Sequence, residues 1–174
     1  MVSAKTKWLI SLITFATIAV NLLAISLPLG GLTTAEISDQ FQIFFIPAGY
    51  VFSIWSVIYL LLFIFTIAVF TVKTPDAIDL IEKIAPYYYV SGILNSFWIV
   101  TWHAQLFTLS VTIMLLLMTT LYKMYFMLAK NRDLLEKDMR FKLLTPFRVY
   151  TAWITVAAIS NVSSYFDYAN WNPP

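Results

Sequence analysis

The chain has no cysteine among its 174 residues. That excludes disulfides, thiolate metal sites and cysteine nucleophiles, and it leaves the redox compartment open. Glycine occurs only four times, too sparsely for a Gly-rich phosphate cradle or a Gly-rich disordered segment. Histidine occurs once, so no His-rich metal set exists. Charge is the scarcest commodity: 11% of residues are charged, against roughly a quarter in a soluble domain. A chain with 60% hydrophobic residues could not cover its surface in water at that level. The net charge of +2 is too small to indicate nucleic acid.

What the chain has instead is long charge-free runs. They extend over residues 8–29, 41–72, 84–102, 106–122 and 149–166. About 20 apolar residues cross the hydrocarbon core, and only helices or closed barrels satisfy the backbone there. These runs do not alternate as barrel strands do. The expectation is an all-α membrane protein, one domain over residues 1–174, with five transmembrane spans at about 8–29, 47–72, 84–102, 106–128 and 147–166. Lys5 and Lys7 give the first run a basic leader. Its apolar part is too long for a signal peptide, and no small-residue cleavage pattern follows, so it reads as an uncleaved span. His103, Ala104 and Gln105 form a link so short that the third and fourth spans must make an antiparallel hairpin.

The basic residues fix an orientation. Lys5 and Lys7 precede the first span, Lys73 and Lys83 lie between the second and third, and seven more, from Lys123 to Arg148, lie between the fourth and fifth. The other side carries Glu36, Asp39, His103 and Asp167. The positive-inside rule then places the N-terminus in the cytoplasm and the C-terminus outside.

The connectors carry local signals. Thr33-Thr34-Ala35-Glu36 has the form of a capping box, and it predicts a short outer helix leading into Phe41 to Phe45 as a lid or interfacial anchor. Thr74-Pro75-Asp76 reads as N-cap, first-turn proline and a dipole-favoured acid, opening a short helix that bends near Pro86. The mixed charges of 130–142 read as a solvated extension of the fourth span.

Three spans carry aromatic stripes at spacings of three and four, which place residues on one helix face. They are Phe52, Trp55 and Tyr59 in the second; Gly92, Asn95, Trp98 and Trp102 in the third; and Tyr150, Trp153, Ala157 and Asn161 in the fifth. Trp and Tyr offer a flat face and one polar handle, which suits a pocket for a large planar or fused-ring ligand. Interfacial belts and core packing are the plainer uses of such rings. Trp8, Trp102 and Trp171 lie near span boundaries and read as belt residues. Trp55, Trp98 and Trp153 lie deeper, where pocket and packing are both open. Asn95 and Asn161 fit helix–helix hydrogen bonding as well as ligand contact. Gly92 reads as a close-packing site, His103 as a hydrogen-bonded or headgroup-facing residue ahead of metal binding, and Arg148 as snorkelling to the basic face. No acidic pair, nucleophile beside a base, or charge near a span centre is present. That argues against a catalytic apparatus and against an ion-coupled pump.

At three strings the chain resembles the TspO/MBR family, the tryptophan-rich sensory proteins and translocator proteins. These are Pro47-Ala-Gly-Tyr-Val-Phe-Ser-Ile-Trp-Ser-Val-Ile-Tyr59, Leu94-Asn-Ser-Phe-Trp98, and Pro146-Phe-Arg-Val-Tyr-Thr-Ala-Trp153 through Asn161. They cover about a quarter of the chain, in family order and spacing. The resemblance implies a five-helix bundle, often a homodimer, with a pocket for porphyrin, haem-type or sterol ligands capped by the loop after the first span. Trp55, Asn95, Trp98 and Trp153 fall on motif positions. Phe52, Tyr59, Tyr150 and Asn161 complete the candidate ligand-binding set. The implied function is a sensor or transporter of a hydrophobic ligand. The alternatives are a porphyrin-degrading enzyme, which part of the family implies, and a structural or assembly subunit. The usual Trp-Asn-Pro-Pro-like string before the second span is missing, and Trp171-Asn-Pro-Pro stands at the C-terminal end instead. The fourth span has no tryptophan. These departures resemble a longer, divergent branch of the family.

Overall fold

The computed structural model describes residues 1–27, 29–43 and 47–170. Among them the regular structure is helical: α1 Ala4–Ser26, α2 Thr34–Ser38, α3 Ile54–Thr71, α4 Pro75–His103, α5 Phe107–Lys130 and α6 Lys137–Tyr168. A 3₁₀ turn, Gly49–Ser53, leads into α3. The five long helices pack in a closed ring, in the order α1, α4, α5, α6, α3 and back to α1.

Among the described residues four helical segments are long and apolar enough to cross a membrane: Ala4–Ser26, Gly49–Thr71, Phe107–Lys130 and Lys137–Tyr168. The fifth long helix, α4, is diluted by what it carries. Asp76, Asp79, Glu82 and Lys83 crowd its first turns, and tyrosines, tryptophans and Asn95 follow. Many apolar side chains face outward all round the bundle, among them Leu12, Phe15, Leu60, Phe97, Leu116 and Ile159. In water that surface would be an aggregation liability; in lipid it is ordinary.

Three local expectations are revised. First, α4 runs without interruption through Pro86. The proline costs the Glu82 carbonyl its helical partner, but Pro86 sits on an exposed face. Thr74 is the N-cap residue and Pro75 opens the helix, yet the Thr74 side chain makes no capping bond. Second, the 130–142 segment does not extend α5. That helix ends at Lys130, a 3₁₀ turn spans Arg132–Leu134, and α6 already begins at Lys137. Asp133 lies 3.6 Å from Arg132 and 3.7 Å from Arg140, and Lys142 bonds Asp138 at 2.6 Å. The mixed charges therefore make a turn and a helix start. Third, Trp102 is no belt residue: it is 4% exposed and lies under α2. Trp8, at 70% exposed, does face outward. Trp171 and the Phe44–Phe45 end of the anticipated lid helix lie outside the described residues.

The capping box is present. Thr33 Oγ1 accepts from Glu36 N at 3.3 Å, and Thr33 N donates to the Glu36 carboxylate at 2.7 Å. These bonds hold the Glu36 carboxyl below its ordinary range. Gly30 and Gly31, at φ +79° and +85°, make the left-handed turn between α1 and α2. At Gly30 an added Cβ would also stand 3.1 Å from the His103 carbonyl. The other end of α1 is held by α4. Glu82 accepts from Ser3 N at 2.7 Å and from Thr6 Oγ1 at 2.6 Å.

Gly92 is the close-packing site that its sequence position indicates. A Cβ there would collide with Ile13 Cγ2 and stand 2.9 Å from Thr17 Oγ1. The missing side chain is what lets α1 and α4 touch. Deeper on the same seam, Thr14 Oγ1 bonds both Thr66 Oγ1 (2.8 Å) and the Tyr88 hydroxyl (2.6 Å). One buried hydroxyl cluster thus joins α1, α3 and α4.

Candidate functional site

The bundle interior has two aromatic layers. Towards the basic end, Phe65, Tyr88 and Phe147 pack together from three helices, with centroids 5.0–6.0 Å apart. Towards the α2 end, Trp55 stands at the centre of a larger cluster. It is stacked on Trp98 (5.9 Å, 29°) and on Tyr59 (5.7 Å, 22°). It meets Tyr150 and Trp153 edge-on, at 5.9 and 6.2 Å. Phe52 closes on Trp153 at 5.9 Å. Trp98 in turn stacks on Trp102 (6.4 Å, 25°).

All six aromatic candidates, Phe52, Trp55, Tyr59, Trp98, Tyr150 and Trp153, therefore belong to one connected cluster. The two asparagines divide. Asn161 lines the cavity described below and donates through Nδ2 to Ser110 Oγ on α5 at 3.0 Å. Asn95 lies on the α1 side, where its Oδ1 accepts from Asn21 Nδ2 at 2.7 Å. Both asparagines tie helices together, as polar residues in membrane helices do.

Between the rings lies a cavity of about 20 Å³, room for roughly one water. Phe52, Trp55, Trp98, Trp102, Trp153 and Asn161 line it with Pro47, Ala157 and Ser160, and Thr34 and Ser38 reach in from α2. A second space of about 260 Å³ adjoins it, bounded by Leu22 and Ile25 of α1, Ala35 of α2, and Ser56 and Tyr59 of α3. Thr34, Phe52 and Trp55 line both. The second space is a half-open crevice, since Leu22 and Ile25 on its wall are more than half exposed. The smaller cavity is filled by its own indoles.

Four buried polar atoms around this cavity have no partner among the described residues: Trp98 Nε1, Trp153 Nε1, Asn161 Oδ1 and Ser38 Oγ. Buried polar groups are hydrogen-bonded in the great majority of cases. Two indole donors, an amide oxygen and a hydroxyl thus stand unpartnered around one cavity. No group of three or more His, Asp or Glu that could hold a metal occurs among the described residues.

The α2 helix is fastened to the end of α4. Trp102 Nε1 donates to the Thr34 carbonyl at 3.3 Å, and Thr34 Oγ1 lies 3.1 Å from His103 Nε2. Sequence reasoning missed Thr34, Ser38 and Trp102 as lining residues, and Asn21 as the partner of Asn95. An asparagine inside the charge-free first run is the signal that could have singled out Asn21, though not its partner.

These features define a multi-pass integral membrane protein with a buried aromatic cluster inside its bundle. The chain belongs to the TSPO-like protein family, whose model matches residues 7–173. No curated protein and no solved structure matches the chain.

Proposed function

We propose that this protein binds a hydrophobic ligand with a planar or fused-ring body, of the porphyrin or sterol class, within the aromatic chamber, as a membrane sensor or transporter. The observation that carries this reading is the convergence of Trp55, Trp98 and Trp153 on one cavity rimmed by four unpartnered polar atoms. Family membership supports it, because these residues lie on the strings through which the chain resembles the TspO/MBR family. All eight candidate residues keep a role in this reading. Phe52, Trp55, Tyr59, Trp98, Tyr150 and Trp153 supply stacking faces. Asn161 presents an acceptor, and Asn95 holds the α1 wall in place.

The chamber has to open for such a ligand. Ligand pockets run to roughly 300–1,000 Å³, well beyond the space between the rings. Displacing Trp55 or Phe52 merges the two adjoining spaces. Stacking on the ligand then replaces stacking within the protein, so the exchange costs little. The same reading includes all five long helices as spans, with α4 as the aromatic, ring-closing one. The basic end is cytoplasmic and the α2 end outside.

Titration of the purified protein with protoporphyrin IX tests the function. Tryptophan fluorescence should quench saturably, at about one porphyrin per chain. Quenching that rises linearly without saturation, in step with detergent partitioning, overturns the reading.

A further inference from the structure

We infer that a groove between α5 and α6 at the basic end is a binding site for the phosphate of an anionic phospholipid. Tyr122 and Tyr125 of α5 and Arg148, Thr151 and Ala152 of α6 enclose a space of about 270 Å³. It is separate from the aromatic chamber, with which it shares no lining residue.

Arg148 is an exposed cation on an otherwise apolar stretch of α6, and it enters no ion pair among the described residues. Of the acids in the neighbouring turn, Asp138 pairs with Lys142 and Asp133 with Arg132 and Arg140, while Glu136, at the N-cap of α6, pairs with no cation among the described residues. Side chains on a helix lean towards its N-terminus, and the N-terminus of α6 is its basic end. The guanidinium therefore reaches towards the headgroup layer from the start of the apolar run.

The second observation is Thr151, one turn further in and 5% exposed. Its hydroxyl is buried and has no partner, and it lines the same groove. Eight threonines of this bundle bond the carbonyl four residues back, as Thr155 does to Thr151 at 2.8 Å. The Thr151 hydroxyl has no such bond and is free to act as a donor. Tyr122, bonded to Thr155 Oγ1 at 3.0 Å, fixes the opposite wall. A guanidinium, a buried hydroxyl and the phenol of Tyr125 suit a phosphate, whose oxygens accept charge-assisted bonds; Tyr122, which donates to Thr155, serves as wall. A lipid is a better occupant than free phosphate because of what adjoins the groove. Ala152 also lines an open apolar trough of about 610 Å³ between α3 and α6, walled by Ile54, Val57, Val149, Trp153 and Val156. An acyl chain fits there, directly beside the headgroup. Basic pockets between membrane helices on the cytoplasmic side recognise anionic headgroups. The inference needs the helices to span a bilayer and does not depend on a ligand in the aromatic chamber.

Native mass spectrometry of the full chain tests it, with delipidated protein re-equilibrated against equal phosphatidylglycerol and phosphatidylcholine. The wild type should retain phosphatidylglycerol preferentially. Arg148→Gln should lower that preference about fivefold, the effect of roughly 1 kcal/mol for one cation at a membrane surface. Thr151→Val should lower it by a smaller factor, while Lys130→Gln, outside the groove, should leave it unchanged. Equal retention of the two lipids overturns the site. So does an equal loss in Arg148→Gln and Lys130→Gln, which means diffuse attraction to the basic face. Displacement of the lipid by millimolar inorganic phosphate makes the groove a free-anion site and overturns the lipid assignment. Circular dichroism melts of each variant separate loss of the site from loss of the fold, and Arg148→Lys, if folded, should restore part of the preference.

Discussion

Trp55 and Trp98 face each other across α3 and α4 with ring centroids 5.9 Å apart and planes 29° from parallel. Offset stacking of this kind is worth about 0.5–1.5 kcal/mol beyond burial. A ligand that wedges between or beside these rings inherits that interaction. Trp98→Leu should therefore weaken protoporphyrin binding by about two- to tenfold. Trp8→Leu, which alters an outward-facing indole, should leave it unchanged. Equal effects in the two variants would place the porphyrin at the membrane interface.

Gly92 sets the spacing of α1 and α4. Gly92→Leu forces a branched side chain into Ile13 and Thr17 and should destabilise the protein by about 1–3 kcal/mol. Gly92→Ala should fall between this variant and the wild type. Thermal melting in detergent reads the series, and an unchanged Tm in Gly92→Leu would count against close packing at this seam.

Glu82 couples acid stability to the start of α1. Partial burial pulls its pKa up, but hydrogen bonds from Thr6 and Ser3 more than offset this and leave it below the ordinary 4.5. A depressed carboxylate contributes stability that is fully present above its unfolded pKa and is lost as pH falls through the folded one. The Tm of the wild type should hold above about pH 6 and begin to fall below 4.5, while Glu82→Gln should start lower and lose part of that acid slope. A negative charge at a helix N-terminus is typically worth about 0.3–1 kcal/mol, which sets the size of the difference. Identical pH profiles in the two proteins would show that Glu82 stays protonated or unpaired.

Orientation can be read by labelling. The chain has no native cysteine, so one introduced thiol is a clean target. Cysteines at Asp39 and at Lys137, both exposed, should react with an impermeant reagent from opposite sides of an intact membrane. Reaction from the same side would exclude the five-span arrangement.

How far the sequence disclosed this molecule depended on the range of each signal. Five charge-free runs stand out because a run of about 20 residues matches the thickness of the hydrocarbon core and is rare in a soluble chain, and four of the helices built on them are apolar enough to cross. The capping box at Thr33 is visible because its two bonds connect residues three apart. The aromatic stripes of α3, α4 and α6 followed from helical spacing, and their convergence required only that three faces turn inward. What escaped was long-range or depended on direction. Nothing local shows that Asn21 finds Asn95, 74 residues on, or that Glu82 reaches back to Ser3. Trp102 sits at a span boundary like any belt tryptophan, and only the placement of α2 above it makes it interior. The N-terminal extent of α6 was hidden because charged turns outside the membrane carry no hydropathy signal, although they are as helical as the span they precede.

The bond between Thr34 and His103 has a practical corollary. His103 is the sole imidazole in the chain, and its Nε2 sits 3.1 Å from the hydroxyl of a lid residue. One pair of ring-nitrogen resonances in a ¹⁵N-histidine-labelled sample thus belongs to one place in the molecule, with no assignment problem. A ligand that lifts α2 from the rim has to break or bend this bond, and that single spectrum will record the lid at atomic distance without any tag or substitution.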